Sequence, residues 1–233
     1  MSSLPLVLAL LLPAAYAQEA AVVPAPAAEP VPEPAPAPVR YRLDPAAGQL
    51  MVQVSKVHGT VAAGFAHDHI VVARGWTGSV TWSATDASAC VVDIRVPVDQ
   101  LEVDAPAMRA QVGLEGDLGD GTRQDVRQHM LEEDQLDGAH HPEISFHASS
   151  CSGTEGPVTV TGTLEIHGVA RSVSAPMTVA PGPDGFRAQG SLQLRTSDFG
   201  ITPFTALLGT VRVADELTLT VDVVGSRSQA TGG

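Results

Sequence analysis

The chain has 233 residues, with 26 Asp and Glu against 13 Lys and Arg, a formal net charge of −13 and only 4% aromatic residues. An acidic excess of this size argues against nucleic acid and against an anionic bilayer as partners, because phosphates repel such a surface. The scarcity of aromatics also disfavours sugar recognition by ring stacking.

Ser2 to Pro13 is an almost unbroken apolar stretch, shorter than the ~18 residues needed to cross a bilayer, and Ala15-Tyr16-Ala17 supplies the small-x-small pattern of a signal-peptidase site. Residues 1–17 are therefore read as a signal peptide, which directs the mature protein to the periplasm or out of the cell. Residues 18–39 form a Pro/Ala-rich linker, whose prolines fix φ and remove amide donors, so an extended spacer is expected. Residues 40–225 are expected to form one domain and residues 226–233 a flexible tail. No later run is long and apolar enough to predict a membrane span.

Within the domain, apolar and polar residues alternate with a period of two in eight stretches: Leu50 to Val57, Ile70 to Trp82, Val91 to Val98, Ile144 to Ser149, Val158 to Ile166, Ser172 to Val179, Phe186 to Thr196 and Val211 to Val224. Clusters of Gly, Pro, Asp and Ser separate them, as expected of antiparallel strands with one buried face. From Pro106 to Gln135 the period lengthens, Met108 and Val112 standing four apart and Val126 and Met130 likewise, which predicts two short helices joined by Gly113 to Gly121. The segment from Asp99 to Asp137 holds eleven acidic residues against Arg109, Arg123 and Arg127, a balance of −8 that reads as a solvated face. Cys90 and Cys151 are the only cysteines, and an even count in an exported chain suggests a disulfide. If the strands around them pair antiparallel with Val96 near Glu143, Cys90 falls opposite the region of Cys151.

No Gly-x-Ser-x-Gly elbow, His-Glu-x-x-His, Cys-x-x-Cys, phosphate loop or dinucleotide fingerprint occurs, so neither an enzyme nor a cofactor is expected. His67 and His69 stand two apart, a spacing that on a strand directs both to one side, where they could share a metal. Two ligands are too few, and a third would have to come from His140, His141 or His147. The plainer reading is that these histidines hydrogen-bond, or titrate harmlessly, at one end of the domain. Arg195 and Asp198, three apart, point to opposite faces of a strand; Asp198 is read as capping a turn that Gly200 permits, with Phe199 packed into an end of the domain.

Three motifs in order, His129 to Ser149 (HMLEEDQLDGAHHPEISFHAS), Gly162 to Val173 (GTLEIHGVARSV) and Arg195 to Ile201 (RTSDFGI), resemble the YceI family of exported bacterial proteins. The resemblance extends over roughly Arg40 to Val224 and departs from the family's commonest pattern at Ala66-His67-Asp68-His69 and in the two cysteines. Alternation alone leaves a closed barrel and a two-sheet sandwich equally open. The resemblance implies an all-β, eight-stranded antiparallel lipocalin-like barrel with a short helical insertion, binding polyisoprenoids or similar lipids. In such a barrel, Phe65, Val92, Ile94, Val96, Phe146, Leu164, Ile166 and Phe199 are the residues expected to meet the ligand. The expected function is sequestration or carriage of a long-chain apolar small molecule: a polyisoprenoid, quinone or fatty-acid derivative. The alternatives are a histidine-dependent metal- or haem-handling envelope protein, and a structural or stress-response barrel filled by its own side chains.

Overall fold

The computed structural model of the chain describes residues 36–57, 67–206, 208 and 210–228. The expected signal peptide, the linker up to residue 35, Phe65 and residues 229–233 lie outside the described residues. The strands are β1 (Val39–Leu43), β2 (Gln49–Lys56), β3 (His69–Ala73), β4 (Thr77–Trp82), β5 (Val91–Pro97), β6 (Leu101–Val103), β7 (Glu143–Ser152), β8 (Gly156–Ile166), β9 (Val169–Pro181), β10 (Gly185–Arg195), β11 (Thr205–Ala206) and β12 (Val211–Arg227). Two helices, α1 (Pro106–Gln111) and α2 (Asp120–Met130), fall between β6 and β7.

Pairing is antiparallel and closes a ring. β1 and β2 lie end to end against β12, β4 and β3 pair with them in turn, and β5 and β6 continue the same row. From β5 the ladder runs through β7, β8, β9 and β10 back to β12. Each of the first three staves is thus a long strand broken once, and the barrel has eight staves. The breaks have local causes. At the first, Asp44 Oδ1 accepts the Ala46 amide at 2.8 Å, an Asx turn that bends the chain out of the ladder. The second lies at Gly75, whose φ of 59° a strand cannot continue, beside Trp76, which is 1% exposed.

The sequence-predicted helices form where their period placed them. Pro106 occupies the first turn of α1, where its missing amide costs nothing. Arg127 of α2 donates to the backbone oxygen of Asp99 at 2.5 Å and to that of Leu101 at 3.4 Å, holding the insertion against the barrel. β12 runs through Arg227, so Ser226 and Arg227, assigned by sequence to the tail, belong to the sheet.

The register between β5 and β7 pairs Val92 with Ala148, Ile94 with Phe146 and Val96 with Ile144. The sequence placed Val96 near Glu143, which instead faces Pro97. The observed register keeps apolar side chains on one face of both strands, which a slip of one residue would destroy. Cys90 and Cys151 form a disulfide with their Cα atoms 5.9 Å apart.

One end of the barrel is filled by aromatic rings. Phe186 lies 5.3 Å from Tyr41 and 5.6 Å from Trp82, centroid to centroid. Their polar atoms are satisfied at the rim: the Tyr41 hydroxyl donates to the Gly182 carbonyl at 2.9 Å and Trp82 Nε1 to that of Thr154 at 2.7 Å. Rings with satisfied handles plug this end, and the interior beyond it is lined mostly by aliphatic side chains, with Phe146, Phe199 and Phe204 among them.

Candidate functional site

A cavity of about 400 Å³ occupies the barrel above this plug. Each stave contributes alternate residues, as its period requires. Val92, Ile94 and Val96 come from β5, Phe146 from β7, and Leu164 and Ile166 from β8; Phe199 enters from the turn after β10. All of the expected contact residues that are described therefore line one cavity. The sequence reading left out Leu217, Leu219 and Val221 of β12, although their alternation carries the same signal. It also did not foresee that the insertion closes over the barrel: Val126 and Met130 of α2, with Leu136 beyond it, line the cavity from above.

Polar lining residues gather at the end opposite the plug. They are His69, His129, Gln135, Arg195 and Thr196. The ring of His129 lies 5.4 Å from that of Phe204. His69 is held by a group that no sequence motif announced. Its Nδ1 stands 2.6 Å from Oδ2 of Asp104, a fully buried carboxylate. Asp104 Oδ1 accepts the Ile70 amide at 3.0 Å and Arg109 at 2.8 Å. Arg109, itself buried, also donates to the carbonyls of Asp68, Glu115 and Gly116. Burial works to raise the Asp104 carboxyl; the hydrogen bonds from His69, Ile70 and Arg109 and the His69 charge outweigh it, so the group titrates below the usual aspartate range. The bond to Asp104 fixes the His69 ring and leaves Nε2 as the nitrogen that can meet a ligand.

The histidines do not assemble as the metal alternative required. The His67 and His69 rings are 6.5 Å apart, His67 is exposed, and His69 Nδ1 is committed to Asp104. Partial desolvation of this largely exposed ring, followed by the charges of His69, Arg109 and Lys56, lowers the His67 pKa. Of the suggested third ligands, His147 pairs with Asp93 at 2.7 Å on the outer face, while His140 and His141 stand beside Asp137. The acidic segment is likewise not wholly solvated, since Asp104 and Asp137 are buried.

The motif around Asp198 also differs in detail. Gly200 has φ 79° and ends a single 3-10 turn, and Phe199 is 2% exposed, as the sequence suggested. The carboxylate that holds the turn is Asp215, which accepts the Ser197 amide at 2.8 Å, the Ser197 hydroxyl at 2.6 Å and the Thr196 hydroxyl at 2.9 Å. Asp198 is exposed and makes no such bond among the described residues.

A closed eight-stranded antiparallel barrel with an apolar interior and a short helical insertion is of the lipocalin-like class. The profile of the YceI-like domain matches residues 41–225, and the chain belongs to that family, one of binding barrels rather than of catalysts. Among solved structures, the barrel is similar to BcnA of Burkholderia cenocepacia, with 21% identity, 78% of this chain and 98% of that one covered, and a TM-score of 0.59. It is also similar to a YceI protein of Campylobacter jejuni, with 14% identity, 68% and 85% covered and a TM-score of 0.51. At these identities the likeness is one of fold. No curated protein sequence matches the chain.

Proposed function

We propose that the protein is an exported carrier or sequestering protein for a long apolar molecule of the polyisoprenoid, quinone or fatty-acid kind, bound with its tail inside the barrel. The observation that carries this reading is the cavity itself: about 400 Å³, lined mostly by aliphatic side chains with Phe146, Phe199 and Phe204 among them, stopped at one end by Tyr41, Trp82 and Phe186, and bearing its polar residues at the other. That volume falls within the range of about 300–1,000 Å³ typical of small-molecule sites. Burying hydrocarbon contributes roughly 0.8 kcal/mol per methylene, so about ten buried carbons offset the cost of ordering without any charged contact. A hydroxyl or carbonyl head group would lie towards His69, whose ring Asp104 already orients. Export is supported by the signal-like N-terminus and by the disulfide, which suits an oxidising compartment. No described helix is long and apolar enough to cross a membrane.

Organic extraction of gently purified protein followed by mass spectrometry tests the reading. Recovery of one long-chain lipid per chain is expected. Protein that yields none, and that also fails to bind an added isoprenoid alcohol, quinone or fatty amide, would overturn it.

A further inference from the structure

We propose that Asp137, His141 and His167 form a binding site for a divalent transition metal of the zinc type, at the rim of the barrel and separate from the cavity. Their ligand atoms all lie within 4.8 Å of one another.

Distant parts of the chain supply the three residues. Asp137 and His141 sit on the segment between α2 and β7, and His167 on the turn between β8 and β9. The carboxylate of Asp137 is buried, with Oδ2 3.9 Å from His141 Nε2. The His141 and His167 rings meet edge to face, 5.3 Å apart between centroids. His167 Nδ1 is buried and has no hydrogen-bond partner, an unusual state for an imidazole nitrogen and one that a metal would relieve. The backbone is arranged to bring these rings together. Ile166 pairs with Val169 across a two-residue turn in which His167 has φ 52° and Gly168 φ 68°, the signs of a type I′ hairpin. A Cβ at Gly168 would collide with the His141 ring, so only glycine lets that ring lie over the turn.

His140 completes the arrangement from outside. Its Nδ1 lies 2.9 Å from Asp137 Oδ1 and 3.0 Å from Oδ2, which is how ligating carboxylates are usually steadied. Two imidazoles and a carboxylate suit zinc and its first-row neighbours, with bonds of about 2.0–2.2 Å, and leave a fourth position for water. Bonds of that length require the ligand atoms to close in by roughly 1 Å, within the reach of side-chain rotation. Leu136, next to Asp137, and Ile166, next to His167, both line the cavity. A bound ion would therefore clip the segment that follows α2 to the barrel rim.

The test is zinc titration of the untagged full-length protein by calorimetry, with melting temperature as a second readout. One ion per chain is expected at micromolar affinity or tighter, raising Tm by roughly 5–10 °C at a hundredfold excess over Kd. His167→Asn is the informative variant, because asparagine is the residue such a turn prefers and does not replace imidazole as a ligand. It should keep the metal-free Tm of the wild type and lose at least a hundredfold in zinc affinity, as should His141→Gln. The double variant His67→Ala/His69→Ala should bind like the wild type. Millimolar binding by the wild type, affinity unchanged in His167→Asn and His141→Gln, or loss confined to the His67/His69 variant would each overturn the proposal.

Discussion

At the scale of single residues, the fully buried Asp104 and the half-buried Asp215 decide more than the many exposed carboxylates. Asp104 is enclosed with Arg109 and His69, so removing its charge leaves a buried guanidinium without its partner, a loss of about 3 kcal/mol or more. Asparagine is the proper replacement because Asp104 has φ 51°, a conformation it tolerates. Asp104→Asn should lower the urea midpoint accordingly and change the response to acid. The folded pKa of Asp104 is depressed, so its contribution is complete above the unfolded value and disappears as pH falls through the lower folded one. Wild-type stability should therefore drop below about pH 4, with part of that slope missing in Asp104→Asn. Chemical denaturation between pH 2.5 and 7 reads both effects. At the turn after β10, Asp215→Ala should cost about 1 kcal/mol through loss of its cap-like bonds, while Asp198→Ala stays within ~0.5 kcal/mol. Thermal melts of the two variants distinguish them.

At the scale of elements, the alternation read from sequence located every stave of the ring, because a half-buried antiparallel strand cannot avoid a period of two. It missed β1, where Val39-Arg40-Tyr41-Arg42-Leu43 is short and adjoins the proline-rich segment, and β6, which is only three residues long. It did not foresee that three staves are broken, since the breaks depend on one Asx turn and on single residues such as Gly75. The same period put Val92, Ile94 and Val96 on one face, but it does not say which face turns inward, and Leu217, Leu219 and Val221, which carry it equally, were left out. The Asp104–His69 contact joins residues 35 apart and the Asp137–His167 approach joins two different loops, and no local pattern encodes such meetings. The disulfide lies between these cases, since inferred pairing brought its cysteines close. It spans 61 residues, for which chain entropy gives about 4 kcal/mol. The Cys90→Ala/Cys151→Ala variant should lose stability of that order in urea titrations. Intact-mass measurement after alkylation should find no free thiol in exported protein.

At the scale of the whole molecule, the carrier reading makes the interior matter more than the acidic exterior. Ile94 is only partly buried, unlike Val92 and Val96, and faces the same cavity, so a larger side chain there would extend into it. Ile94→Trp should weaken binding of an isoprenoid or fatty amide at least tenfold while Tm changes little, whereas Glu132→Gln/Glu133→Gln should leave affinity within twofold. Fluorescence displacement of a lipid probe measures both. The order of the staves also sets when the barrel can exist. β1 and β2, near the start of the described chain, pair early with β4 and β3 but find their second neighbour only in β12, near its end. A chain crossing a membrane N-terminus first must therefore hold two open sheet edges until its final strand emerges. Such long-range closure makes folding slow and leaves unpaired edges exposed to neighbouring chains in the meantime. The interval between emergence of β2 and arrival of β12 is the period in which this protein is most exposed to misassembly, and the one in which a chaperone would have most to protect.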